Sequence, residues 1–176
     1  MRTPLRIIFI IILLALITPT ASAGTDAKVM VPDFQLNDLT DLPNAQEELA
    51  RIAYLSSTFR QKIIEYGIEV IPANDQLKVE MSANSATYLF DHPAIAAKLA
   101  EGSGADYLVV GVALKPTYLF IYARILMVDI KTQQVIYGSY VQLESSWSDQ
   151  HTTARNAEKL AEKVRAKLNE LIKPTN

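Results

Sequence analysis

The sequence contains no cysteine. That absence removes disulfides, zinc–thiolate and iron–sulfur sites, a cysteine nucleophile and a lipidated cysteine at a processed N-terminus. Imidazole is nearly as scarce, with His92 and His151 the only histidines. No glycine-rich phosphate loop, G-x-S-x-G elbow or H-E-x-x-H spacing occurs, and Gly102-Ser103-Gly104 has neither the spacing nor the context of a serine elbow. A basic surplus is missing too: 17 basic residues stand against 19 acidic ones, which argues against a nucleic-acid binder. The sequence therefore calls for no cofactor, no metal and no catalytic residue, and an enzyme is the minority reading.

What is present begins with residues 1–23. Arg2 and Arg6 give a positive start, residues 7–17 (IIFIIILLALI) form an unbroken apolar run, Pro19 breaks it, and Ala21-Ser22-Ala23 offers the small residues a signal peptidase accepts. This is the pattern of a secretory signal peptide. The run falls short of the roughly 20 apolar residues a spanning helix needs. Cleavage after Ala23 is expected, leaving residues 24–176 as one domain with 15 basic and 19 acidic residues in a periplasmic setting. No second run approaches spanning length, so no membrane insertion is expected after cleavage. Without disulfides, that domain must be held by its core alone.

The mature chain reads as a series of short elements. Residues 28–36 (KVMVPDFQL) form a strand-like run in which Pro32 favours an edge or a bulge. From Ala45 the apolar spacing turns helical through Leu49, Ile52, Leu55, Phe59, Ile63 and Ile64, with Gly67 placed to end that helix. Residues 68–73 read as a second strand, residues 74–92 are ambiguous, and 94–100 form an alanine-rich helix opened by Pro93. Three strand-like runs follow at 106–114, 119–129 and 134–144, joined by connections short enough for hairpins. A last helix runs from about Trp147 to Ile172, with Ser146 and Asp149 resembling a capping box.

This order predicts an α/β (α+β) fold: a mixed sheet of about five strands with a C-terminal antiparallel meander, covered by three helices. A four-residue second connection sets Val128 opposite Val135, Leu126 opposite Tyr137, Arg124 opposite Ser139 and Tyr122 opposite Val141. Both faces of that ribbon are then largely apolar, so a helix layer or a partner must cover each.

The segments VMVPDFQLND and GADYLVVGVALKPTYLFIYARILMVDIKTQQVIYGSYVQLESSW carry a resemblance. Their pattern is a strand ending in Phe-x-x-x-Asp, then Gly-Ala-Asp, Val-Val-Gly, a long strand ending in Val-Asp and a turn into the next strand. It resembles a family of exported bacterial proteins known only as a domain of unknown function. More distantly it is similar to the small α/β domains of curli-secretion (CsgG-like) lipoproteins, penicillin-binding-protein activator lipoproteins and the amino-terminal part of TolB. The resemblance implies contact with other envelope proteins and no catalysis. Members of the nearest family often carry a cysteine pair before the alanine-rich helix; Tyr88–Pro93 has none here, so no thiol or metal role is carried over.

Asp91-His92, Asp149 and His151 are candidates for acid–base or metal work, but each falls at an expected helix start, where polar caps and acids are common. The aromatic series Tyr118, Phe120 and Tyr122, with Tyr137, Tyr140 and Trp147, is the candidate interaction surface, because aromatics with a polar tip favour interfaces. The expected function is an exported, non-enzymatic accessory domain of the bacterial envelope that binds an envelope protein or itself. The alternative is a small-molecule-binding protein or weak hydrolase with a pocket near the strand ends, for which a pocket containing His92 or His151 would be the sign.

Overall fold

A computed structural model describes residues 27–40, 46–143 and 149–172. Residues 1–23, Ser146 and Trp147 lie outside the described residues, so the expected signal segment, half of the expected capping box and one candidate aromatic do too. The chain opens with β1 (Lys28–Met30) and β2 (Gln35–Asp38), followed by α1 (Gln46–Glu65) and β3 (Glu69–Ile71). Three short helices come next, α2 (Asp75–Ala83), α3 (Tyr88–Asp91) and α4 (Pro93–Ala100). The meander is β4 (Tyr107–Thr117), β5 (Phe120–Asp129) and β6 (Gln134–Leu143), and α5 (Gln150–Ile172) closes the fold.

Among the described residues the six strands form one mixed sheet in the order β3-β1-β4-β5-β6, with β2 also paired to β4. The first strand-like run is thus two strands, and the sheet has six where about five were expected. Both run parallel to β4, but their registers differ: Met30 lies opposite Leu108, while Gln35 lies opposite Val112. One surplus residue is taken up between Val31 and Phe34, around Pro32, which has no N–H for the ladder. At this step the Phe34 ring crosses the backbone of Gly111, where a Cβ would sit 2.6 Å from two ring carbons. Only a residue without a side chain lets Phe34 reach Phe59, whose ring it meets edge-on at 5.6 Å.

Helices α1 and α5 cover one face. Leu55, Phe59 and Ile63 of α1 and Leu160, Val164 and Leu168 of α5 are buried against Val109, Ala113, Ile121, Ile125 and Met127. Leu49 and Ile64, which share the apolar spacing of α1, face outward at about half exposure. The expected stop at Gly67 is observed: its φ is 78°, its N–H reaches the Ile64 carbonyl at 2.8 Å, and Ile68 N–H reaches Ile63. This pairing closes a helix through a left-handed residue.

The other face is covered by α2, α3 and α4, which bury Leu77, Leu89, Phe90, Ala96 and Ala100 over Met30, Leu108, Val110 and Val112. Two of these helices come from the stretch the sequence left ambiguous, so the described residues hold five helices where three were expected. Asn74 explains why α2 forms there. Its side-chain oxygen accepts the Leu77 N–H at 2.9 Å, and its amide nitrogen donates to the Leu99 carbonyl at 2.7 Å, tying α2 to α4.

The meander register needs correction. Val128 does pair with Val135, but Met127 then pairs with Tyr137, so Ile136 is an extra residue. Beyond that bulge each expected partner slips by one: Arg124 faces Tyr140, Tyr122 faces Gln142 and Ala123 faces Val141. A one-residue slip exchanges the faces of a strand. Tyr137 and Val141 accordingly sit on the α1–α5 face, while Tyr140 moves to the opposite one.

Gly111→Ala is expected to force the Phe34 ring off Phe59 and cost about 1–3 kcal/mol, as overpacking does. Urea unfolding of the variant, with and without Phe34→Leu, checks this; the second substitution should recover most of the loss.

Candidate interaction surface

The helices α2 to α4 reach only part of their face. The Phe90 ring lies under the Arg124 guanidinium at 4.8 Å, marking the outer limit of that cover. Beyond it Tyr122 and Tyr140 meet edge-on, their ring centroids 6.2 Å apart, with Tyr140 63% exposed. At the hairpin tip Tyr118, Leu119 and Phe120 are also exposed, Leu119 at 81%. The candidate aromatics therefore divide. Tyr118 and Phe120 occupy the tip, Tyr122 and Tyr140 the open face beside it, and Tyr137 packs against the core on the far side.

The arm that carries this patch is fastened from behind by a group the sequence reading missed. Lys115 was expected in a connection, yet β4 continues through Thr117 and the turn falls at Tyr118–Leu119. The Lys115 side chain is only 2% exposed and lies 2.9 Å from Asp38 of β2 and 2.7 Å from Glu48 in the first turn of α1. Removing an ammonium from water costs several kcal/mol, so it is tolerated only with close anionic partners. Burial works to lower the Lys115 pKa, but the bonds to Glu48 and Asp38 outweigh it and hold the group above its ordinary value. Asp38 is balanced the other way. Burial favours its neutral form, and hydrogen bonds from Thr40 and Lys115 overcome that to keep the carboxyl below its ordinary value.

The cluster extends into α5. Buried Arg51 of α1 donates from Nε to the Thr153 hydroxyl at 2.8 Å. Burial draws its guanidinium pKa downward against the opposing charge of Asp149. Asp149 in turn accepts the Thr152 N–H at 2.9 Å and the Thr152 hydroxyl at 2.7 Å, capping the helix. α1 is thus bonded to β4 through Glu48 and to α5 through Arg51, while β2 reaches β4 through Asp38. A period-two reading extended past Leu114 would have set Lys115 on the same face as Val109 and Ala113; Pro116 stopped that reading early.

The acid–base candidates are not brought together. Asp91 ends α3 and His92 stands between α3 and α4, both exposed, with the His92 ring 4.8 Å from that of Tyr88. His151 is exposed in the first turn of α5. Among the described residues no three His, Asp or Glu side chains are grouped as metal ligands, and no helix is long and apolar enough to cross a membrane. The motif residues of the meander have structural bonds: Asp106 accepts the Lys28 N–H at 2.8 Å, and Asp129 accepts the Thr132 N–H at 2.7 Å in the β5–β6 turn.

This is a small α+β domain with a mixed sheet and one uncovered aromatic corner. The chain belongs to the DUF3280 family, described as a protein of unknown function (DUF2380), whose pattern matches residues 27–168. The family of unknown function expected from the sequence is therefore the one found. No curated protein is detectably similar in sequence. Similar solved structures include the LpoB C-terminal domain from Escherichia coli, at 15% identity over 77% of this chain and 93% of that one, with a TM-score of 0.48. The hypothetical protein CT253 from Chlamydia trachomatis matches at 16% identity over 82% of this chain and 98% of that one, TM-score 0.49. A PelC dodecamer from Paraburkholderia phytofirmans matches at 13% identity over 82% of this chain and 87% of that one, TM-score 0.44.

Lys115→Met leaves Asp38 and Glu48 as uncompensated buried carboxylates and is expected to cost about 3–5 kcal/mol, read from urea midpoints. Acid dependence carries a second test. Because the folded Asp38 pKa lies below its ordinary 3.8, its contribution is complete above that value and is lost as pH falls through the folded value. The midpoint of the wild type should therefore fall more steeply than that of Asp38→Asn as pH drops below about 4, with the two running parallel above it.

Proposed function

We propose that this chain is an exported, non-catalytic interaction domain of the bacterial envelope, which holds a partner protein through the aromatic corner of its meander. The observation that carries the reading is the exposed series Leu119, Phe120 and Tyr140, with half-buried Tyr122 beside it and exposed Tyr118 against Lys115, on an arm tied from behind by that buried lysine. Exposed apolar patches of this kind, with aromatics at the centre and an arginine at the margin, suit protein recognition. A rigid carrier matters because ordering a mobile arm on binding would subtract from affinity. The leader pattern of residues 1–23 supports export. Of the polar groups considered for chemistry, Asp149 caps α5, while Asp91, His92 and His151 are exposed and lie apart.

A photo-crosslinking residue placed at Tyr140 in the full chain, expressed in its own host, tests this. The expected result is a crosslink to an envelope protein, with the chain recovered from the periplasm. In a chain probed from Tyr118 instead, the pair Phe120→Ala and Tyr140→Ala should reduce the crosslink at least about tenfold while the melting temperature stays within a few degrees. Recovery of the intact chain from the cytosol, or a yield unchanged by the pair, would refute it.

A further inference from the structure

Helix α5 separates its charges. Its acids turn toward α1: Glu158 stands 3.5 Å from Lys62, and burial together with the charges of Glu162 and Glu158 raises the pKa of Tyr66, just past the end of α1. Arg155, Lys159 and Lys163, each four residues from the next, lie on the other side, against the outer strand β6. With residues 138–142 of that strand they line a groove of about 540 Å³. No carboxylate stands among the described residues of this lining. Arg155 and Lys159 are exposed, and neither is paired with an acid among the described residues.

Among the described residues β6 has no strand beyond it, yet its edge is not open to one. Lys163 Nζ donates to the Tyr140 carbonyl at 3.2 Å and to the Ser139 hydroxyl at 3.0 Å, and the Asn156 amide donates to the Gln142 carbonyl at 3.1 Å. Side chains of α5 therefore occupy the carbonyls that a further strand would need, as edge lysines do elsewhere. These acceptors are neutral, so they leave the charge of Lys163 uncancelled. What the groove has left to offer is donors: three cationic heads, and the N–H groups of Tyr140 and Gln142, which point to the same side as their carbonyls. Such a lining takes a ligand rich in anionic acceptors.

Spacing narrows the ligand further. Residues four apart on a helix rise about 6 Å, so the three cations span about 12 Å. An extended peptide sets alternate side chains about 6.7 Å apart on one face, which matches that interval. We infer that the α5–β6 groove binds an acidic segment of a partner protein, extended along α5 with carboxylates at alternate residues facing Arg155, Lys159 and Lys163. The segment is held by side chains and does not join the sheet. The groove adjoins the aromatic corner at Tyr140, whose ring meets Tyr122 on the open face while its carbonyl accepts from Lys163.

Fluorescence anisotropy tests this, with a labelled heptapeptide carrying glutamate at its odd positions and threonine between, added to the chain purified from its own host. Binding is expected, and affinity should fall roughly tenfold or more both for the glutamine version of the peptide and in the double variant Arg155→Gln, Lys159→Gln. Both side chains are exposed, so that variant should melt within a few degrees of the wild type. Lys98→Gln, which removes an exposed charge from α4, should leave binding unchanged. So should Phe120→Ala, which separates failure at this groove from failure at the aromatic corner. A heptapeptide with the same four glutamates in one block should bind several-fold more weakly. Four results would overturn the inference: no saturable binding of the alternating peptide, equal binding of the block peptide, affinity unaltered in the double variant, or an occupant that proves to be a membrane. The last would be seen as sedimentation with vesicles of equal parts phosphatidylglycerol and phosphatidylcholine, abolished by the double variant and not competed by the peptide.

Discussion

Strand β4 is hydrogen-bonded along both of its edges for most of its length, and the chain achieves this by laying β1 and β2 end to end against one edge. Everything else is arranged around that strand. Its two faces support the two helix layers, its inner end meets Asp106 and Lys28, and its outer end buries Lys115. A parallel strand buried on both faces needs small or branched residues throughout, and residues 108–113 (LVVGVA) supply them. The glycine in the middle of that run is the point where the Phe34 crossing would otherwise collide.

The Lys115 cluster explains why so long a hairpin does not peel from the domain. Past the limit of α2 to α4, the arm has helices behind it only on the α1–α5 side, and there Lys115 is buried level with Ile121 and Leu143. An ammonium between two carboxylates is no more stabilising than a well-packed apolar group of its size, and often less. Its value here is directional. Asp38, Glu48 and Lys115 can satisfy one another in only one relative placement of β2, α1 and β4, whereas leucines would tolerate sliding. The proposed aromatic surface inherits that definition, since Tyr118 follows Lys115 by three residues and its ring faces the same ammonium at 5.8 Å.

Much of the fold could be read from periodicity and punctuation. α1, α4, α5 and the three meander strands lie close to where apolar spacing put them, because each buries a continuous stripe and ends at a glycine, proline or acid with a local reason to be there. The rest was hidden for identifiable reasons. The split of the first strand depends on β4 being one residue shorter over the same span, which is a property of two segments about 80 positions apart. α2 has a weak apolar stripe, with Leu77 its only fully buried residue, and depends on Asn74 reaching Leu99. The bulge at Ile136 moved Tyr140 to one face and Tyr137 to the other, so the aromatics grouped from the sequence do not share one surface. Lys115 was obscured by the proline after it, although a lysine in phase with a buried stripe is a signal that a partner charge must exist elsewhere.

Cover of the sheet is incomplete at two different places. Three short helices totalling few turns shield one face of a sheet whose meander strands are ten or eleven residues long, so the outer corner of the meander is left bare. On the opposite flank, β3 is three residues long, and among the described residues β2 has no outer strand neighbour. Lengthening α3 and α4 would close the first gap, and moving Pro72 a few residues later would close the second. Neither change conflicts with the core, because Phe90 and Ile71 already sit at the edges of what they would extend. The corner of the meander that its own chain leaves bare is where the proposed aromatic contact falls.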